Sequence, residues 1–526
     1  MGFVRLECLR DHRIHMPRKR GSPPGGLASL FLISVVLLLS LAPISGSAQA
    51  DGDAAVIGTY RLVPSRALGE ERRILVHLPR GYEESGRSYP VVYKLHGTPL
   101  SLFAPIFASC DLLAESGRIP EVILVGVEQH GHWEVRPREV NGPDLDVRAE
   151  EFLEFLTEEL VPFVERNYRT KKPRILAGTY DCGLFVVYTL LEARDSFRAY
   201  LANAMGGFWL GTETVLGRAA TELPQADGPP AFLHVTQWRD AQDGTSEAVD
   251  DFLARLEGSS PGGLVRSSEI LPHPSHDTWL PYKSIERGLL ALFADYKCPE
   301  SVIEKGLAAV QDHYAAFSER FGATFEVPEM AFMNLADHLS ERQEWGAAIE
   351  VLERFREEYP RSLDAVFRLA RAYRSSGDFD RAAAAYRAAL GFENCPPFIP
   401  HELNRLEHSA AFAVERAIVE TGIEAGIAKY RSLRVENAPG DSFRESEFNE
   451  AGYRLLGRDM VAAAIAVFRL NVEQFPESAN AYDSLAEAYV ASGDTVQAVA
   501  NYRRSLALDS ENANARAMLS KLGSSE

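Results

Sequence analysis

Between Trp345 and Tyr502 apolar residues return at an interval of 34, and this period limits the possible fold more than any other feature of the chain. Trp345 and Phe379, Ala348 and Ala382, and Leu352 and Tyr386 stand 34 residues apart, as do Leu455 and Tyr489, Ala464 and Ala498, and Phe468 and Tyr502. Two helices that cross closely need a small residue at the crossing and a ring in the hole beside it, which is the alternation seen here. Gly377-Asp378 and Gly493-Asp494 mark turns within units, and Pro360 and Pro476 mark their ends. A single such unit cannot bury its apolar face, so the units stack into an all-α array. Four clear units fall at about 330–361, 363–395, 446–477 and 479–512, in two pairs. The stretch from Pro396 to Pro439 is helical in pattern but off the period, with room for a degenerate unit such as Gly422 to Leu433.

A helix-turn-helix period of 34 residues is that of tetratricopeptide repeats, and arrays of this kind offer a groove to peptides or proteins. Residues 51–297 read differently. Arg73 to Leu78, Val91 to Leu95 and Val122 to Val127 predict strands, as do Arg174 to Ala177, Ala231 to Thr236 and Leu264 to Leu271. Helical periodicity fills Asp146 to Asn167, Leu184 to Ala193, Val249 to Leu256 and Ile285 to Phe293. That rhythm predicts a mostly parallel sheet with helices on both faces and ligands beyond the carboxyl ends of the strands. Residues 298–329 read as a helical linker to the repeats at 330–526.

Arg18, Lys19 and Arg20 precede a nearly unbroken apolar run from Leu27 to Ala42, and Ala48-Gln49-Ala50 has the small-x-small form of a cleavage site. Residues 1–50 therefore read as a secretory signal, with Met16 an alternative start and Asp51 close to the mature N-terminus. The protein is expected to be exported, secreted or periplasmic, and to meet a membrane only if the signal is retained. The whole chain carries a net charge of −19, and residues 1–50 contribute six basic and two acidic groups, so the body stands at −23. Such a body repels phosphate backbones, which argues against nucleic acid as a partner. Cys110, Cys182, Cys298 and Cys395 lack C-x-x-C spacing and read as thiols rather than as a zinc site or disulfide framework. His130-Gly131-His132 has alternating spacing but no third ligand at a telling distance, so no metal and no cofactor is expected. Phe185, Tyr188 and Leu191 read as core.

The strand Arg174 to Ala177 runs into Gly178-Thr179-Tyr180-Asp181-Cys182-Gly183, with a helix after it. A strand-turn-helix with glycines at this spacing is the setting of a G-x-S-x-G nucleophile elbow. Over roughly Tyr60 to Tyr296 the chain resembles the putative-esterase, enterochelin-esterase-like family of α/β-hydrolases. The resemblance rests on Leu78-Pro79-Arg80-Gly81-Tyr82, Leu95-His96-Gly97, Ser116 to Pro120, Val164 to Arg169 and the elbow itself. It implies an α/β-hydrolase fold and an oxyanion-hole wall at Gly97, Thr98 and Asp181. It also implies a catalytic histidine at His276 and an acid near Asp240, with Asp243 as the other candidate. The family's elbow reads G-H-S-x-G-G, which puts Tyr180 at the serine, Thr179 at the histidine and Cys182 at a glycine.

A serine hydroxyl is small enough to attack a carbonyl while an imidazole removes its proton, whereas a phenol fills the space that the acyl carbon needs. The sequence therefore points to a degenerate elbow and a binding or scaffolding protein that acts with its repeats and takes a protein or peptide, with a small ester-like ligand possible at the strand ends. Three rescues keep catalysis open: Asp181 as a carboxylate nucleophile with His276 as base if the turn slips by one residue, Cys182 as a thiolate, or Tyr180 itself. A third reading makes the repeats the functional unit and the first domain a spacer.

Overall fold

Tyr89 to Leu95, Ile123 to Val127 and Ala199 to Asn203 are buried at every position, as strands covered on both faces must be. In the computed structural model, which describes residues 57–96, 100–137, 147–205, 212–225, 230–238, 245–257, 263–271, 280–436 and 443–523, these are strands of one sheet. The strands are β1 (Thr59–Ser65), β2 (Glu70–His77), β3 (Tyr89–Leu95), β4 (Ile123–Val127), β5 (Thr170–Thr179), β6 (Ala199–Asn203), β7 (Ala231–Trp238) and β8 (Leu264–Leu271). Their order is β1-β2-β4-β3-β5-β6-β7-β8, with β2 antiparallel to both neighbours and every pairing from β4 through β8 parallel. The mostly parallel, helix-covered sheet expected from the sequence is present, together with β1 and β6, which the hydrophobic pattern did not single out.

The helices of this part are α1 (Tyr82–Ser85), α2 (Leu100–Glu115), α3 (Ala149–Glu154), α4 (Val161–Asn167), α5 (Asp181–Glu192), α6 (Thr212–Glu222), α7 (Thr245–Glu257) and α8 (Leu280–Leu292), with a π turn at Phe155–Leu160 joining α3 to α4. Because side chains alternate across a strand, neighbours go to opposite cores. Leu75, Val92, Ile175 and Leu201 join α2 and α8 in one cluster. Ile74, Val91, Leu176 and Tyr200 join α3 to α7 in the other.

The first cluster does not stop at the sheet. It continues through α9 (Glu300–Ile303) and α10 (Leu307–Phe321) into the first helices of the array. The stretch expected as a linker is thus helical, and Val310, Tyr314, Phe317, Phe321 and Phe325 are buried within that core.

The array comprises α11 (Glu329–Glu341), α12 (Trp345–Glu358), α13 (Leu363–Ser376), α14 (Phe379–Ala389), α15 (Phe398–His408), α16 (Ala410–Thr421), α17 (Ile423–Glu436), α18 (Glu445–Leu456), α19 (Val461–Gln474), α20 (Ala479–Ser492), α21 (Thr495–Leu508) and α22 (Ala513–Lys521). The period is physical: Ala348, Ala382, Ala464 and Ala498 are all fully buried, as are Tyr386, Phe468 and Tyr502. The same joints recur. Ser362 and Ser478 cap α13 and α20 and donate to Glu329 and Glu445 of the preceding pair, each at 2.7 Å. Gly377 and Gly493 take φ of 92° and 80°, and the following Asp378 and Asp494 cap the next helix. Between Pro396 and Pro439 the off-period stretch holds α15 and a helix pair, α16 and α17, hinged at Gly422. Residues 1–50, read as a signal, lie outside the described residues. No helix among the described residues is long and apolar enough to cross a membrane.

Candidate active site at the strand ends

The turn from β5 into α5 is fixed by its glycines. A Cβ on Gly178 would lie 2.1 Å from the Cys182 carbonyl oxygen, and one on Gly183 would lie 2.6 Å from the Asn203 carbonyl oxygen. The N–H of Tyr180 donates to the Asn203 carbonyl at 3.0 Å, and those of Gly183 and Leu184 donate to the Tyr180 carbonyl at 2.9 and 3.1 Å. Tyr180 is left at the apex with φ 60° and ψ −122°, a conformation that costs a non-glycine residue about 1–3 kcal/mol. The elbow is formed, and its crest is a phenol rather than an alcohol of serine size.

Tyr180 is 45% exposed, and partial burial holds its phenol above its ordinary pKa, so it stands protonated at neutral pH. Asp181 is the first residue of α5. Only 6% exposed, its Oδ2 lies 3.4 Å from Arg136 Nη2, where the positive end of the helix also favours a carboxylate. Cys182 is buried and its thiol donates to Gln129 Oε1 at 3.0 Å. Burial pushes that thiol up to about 12, which leaves essentially no thiolate at pH 7. The loop after β4 therefore supplies two partners, Gln129 and Arg136, that hold the residues behind the apex.

Lys94, on β3 beside Ala177 of β5, was not singled out from the sequence. It is 3% exposed, its Nζ donates to the Leu95 carbonyl at 2.6 Å, and burial lowers its pKa to about 8 against a small opposing pull from Cys182. A row of polar residues crosses the sheet at Thr179, Asn203 and Thr236, which are register partners on β5, β6 and β7. Thr179 Oγ1, Asn203 Oδ1 and Thr236 Oγ1 are buried with no hydrogen-bond partner among the described residues. Deeper on β7, His234 is buried with neither ring nitrogen hydrogen-bonded among the described residues, and burial lowers its pKa to about 4. The remaining expected site residues, Gly97, Thr98, Asp240, Asp243 and His276, lie outside the described residues.

Two further clusters were not legible from spacing. Glu70, His130 and Glu134 bring ligand-type atoms within 4.8 Å of one another. The fully buried Arg72 already supplies their cation: Nη1 and Nη2 reach Glu134 at 2.9 and 2.8 Å, and Nη2 also pairs with Glu70. The side chain of His132 is outside the described set. At the opposite end of the sheet from the elbow, His77 Nε2 lies 3.1 Å from both Asp111 carboxylate oxygens, Nδ1 lies 2.6 Å from the Ile57 carbonyl, and the ring stacks on Phe107. Burial works to lower the His77 pKa, but the Asp111 and Ile57 oxygens outweigh it and the net direction is upward.

Residues 65–229 match the family model described as Putative esterase, and residues 333–397 and 481–515 match tetratricopeptide-repeat models. No curated protein matches the chain. Among solved structures, the chain is similar to an IroE-like serine hydrolase from Shewanella oneidensis, at 24% identity and a TM-score of 0.50 over 57% of this chain and 99% of that one. It is also similar to an uncharacterised protein from Capnocytophaga ochracea (16% identity, TM-score 0.45, 66% and 99% covered) and to a siderophore hydrolase from Aspergillus nidulans (17%, 0.39, 47% and 98%). The family-model matches and the sheet order together identify a Putative esterase domain over residues 65–229, of the α/β-hydrolase type, followed by tetratricopeptide repeats.

Proposed function

We propose that this is an exported binding or scaffolding protein derived from a serine esterase, in which the hydrolase domain no longer runs the serine mechanism and the repeats carry a protein partner. The observation that carries this reading is Tyr180 at the apex, φ 60° and ψ −122°, in the position from which a small alcohol would attack. A bulky, protonated phenol there supplies neither the room nor the nucleophile. The candidate replacements are weaker. Asp181 is buried against Arg136 behind the apex, and the glycine contacts hold the turn in the register that centres on residue 180. The Cys182 thiol is protonated and bonded to Gln129. Export rests on the basic and apolar segments of residues 1–50, and the intact mass of the exported protein, expected to begin near Asp51, reads it directly.

The test is direct. The exported protein is expected to leave short-chain aryl esters unhydrolysed and to resist serine-directed fluorophosphonates. Rapid turnover that is lost in Asp181→Asn or in His276→Ala would overturn this reading, and its loss in both would favour a carboxylic-ester hydrolase that uses Asp181 with His276.

A further inference from the structure

The helix α15 has no counterpart in the 34-residue repeat, and with it the array closes on itself. Arg458, just past α18, donates to the carbonyls of Ser375 and Arg374 at the end of α13, at 2.9 and 3.1 Å. A Cβ on Gly457 would lie 2.9 Å from Gln343 Oε1, just past α11, so the first and fourth helix pairs touch. The fully buried Glu415 of α16 pairs with both Arg454 and Arg458 and pins the closure. The concave face holds an open cleft of about 600 Å³. That volume is the size of a small-molecule site.

The lining has a definite chemistry. Phe367 and Phe398 meet edge to face at 5.0 Å, and Phe398 and Tyr453 are 45% and 39% exposed, so flat apolar surface is available. Four arginines and two glutamates line the cavity in a chain whose net charge is −19. Glu402 takes Arg374 and Arg405, and Glu450 takes Arg405 and Arg454. Arg371 has no carboxylate partner among the described residues and lies 5.7 Å from the Phe367 ring centroid. Tyr386, with none of its surface exposed, lines the cavity with a hydroxyl that has no partner among the described residues. One unbalanced guanidinium and one unused phenol hydroxyl match a single carboxylate, which both can serve as donors.

We propose that this cavity binds a small aromatic carboxylate, its ring against Phe367, Phe398 and Tyr453 and its carboxylate on Arg371 and Tyr386. The site is distinct from the elbow and does not depend on whether the elbow is catalytic.

Calorimetric titration of the full chain with phenylacetate and 3-phenylpropionate, against the corresponding neutral amides, reads this out. At least one acid is expected to bind with Kd under about 1 mM, with the amides weaker by about tenfold or more. Arg371→Ala and Phe398→Ala, both changes at exposed side chains, are each expected to weaken the acid by about tenfold without lowering the melting temperature. Three results overturn the proposal: no binding of either acid, amides bound as tightly as acids, or affinity unchanged in both variants. A ten-residue peptide ending in phenylalanine that binds more tightly than the free acids overturns it as well, by making the cavity part of a peptide groove.

Discussion

Lys94 carries its charge in a strand of otherwise buried apolar and aromatic side chains, where its Nζ donates to the Leu95 carbonyl. An ammonium desolvated in this way favours its neutral form, and a pKa lowered by burial from 10.5 to about 8 corresponds to roughly 3 kcal/mol of penalty on the charged state. Lys94→Met, which keeps the length of the side chain and removes the charge, is expected to stabilise the protein at pH 7 by about 2–3 kcal/mol, read from urea denaturation. The pH dependence has a definite sign. Between pH 8 and 10.5 the unfolded chain holds a proton that the folded chain has released, so the stability of the parent rises across that window and the advantage of the variant shrinks. An advantage that stays constant to pH 10.5 would show that Lys94 is not desolvated. The sequence could not single out this residue, because one lysine inside Val91 to Leu95 looks the same whether its tip reaches solvent or not. Tyr180 was legible for the opposite reason: local glycine spacing fixes the elbow, so the identity of its apex is read off directly. The His77–Asp111 pair, formed by residues 34 positions apart on a strand and a helix, had no local pattern to announce it.

At the scale of elements, the strand-to-helix turn is tight because two backbone segments leave no space beside its glycines. Gly178→Ala would place a Cβ 2.1 Å from the Cys182 carbonyl oxygen, which only a backbone shift relieves, and a loss of about 3 kcal/mol or more is expected. Tyr180→Gly should behave in the contrary way, since it accepts φ 60° without strain and offsets the added freedom of its unfolded chain. Its melting temperature is expected to equal or exceed that of the parent, and the pair of melts followed by circular dichroism checks both changes. A Gly178→Ala protein that melts with the parent would mean that the turn is looser than its geometry. The same scale explains which elements were readable. The helical run through Phe152, Phe155, Leu156 and Leu160 repeats one apolar face, and β4 is an unbroken apolar run. β6 is only Ala-Tyr-Leu-Ala-Asn, and β1 is an exposed edge with weak alternation, so neither had the pattern by which strands are recognised.

Across the whole molecule the decisive feature is the aromatic joint that fastens the sheet to the repeats. Phe293 packs on Phe321 at 5.6 Å, Tyr296 on Tyr314 and Phe317 at 5.5 and 5.2 Å, and Phe317 on Phe325 at 5.0 Å. Around it, Arg87 donates to the Glu358 carbonyl at 3.0 Å and lies over the Tyr359 ring, and Lys171 donates to the Thr324 carbonyl at 2.6 Å. The 34-residue period was legible because every unit reuses one contact. The joint was not, because it is built once, from rings that share no period, and so residues 298–329 read as a linker. The consequence is a boundary that differs from the one composition suggests. One core runs from Leu75 to Leu403, and the next begins at Ala410. A fragment of residues 51–297 strips Phe293 and Tyr296 of their partners, and each large ring carries 150 Å² or more of surface, on the order of several kcal/mol of burial in total. That fragment is expected to aggregate or to bind 8-anilinonaphthalene-1-sulfonate with little near-ultraviolet circular dichroism. Residues 51–408, which keep the first core whole, are expected to fold cooperatively with a native near-ultraviolet spectrum. The order of the two fragments is what tests the joint: if 51–297 were the well-folded monomer and 51–408 the aggregating one, the rings at 314–325 would be ornament on a self-sufficient hydrolase domain, and the repeats a separate body that merely follows it in the chain.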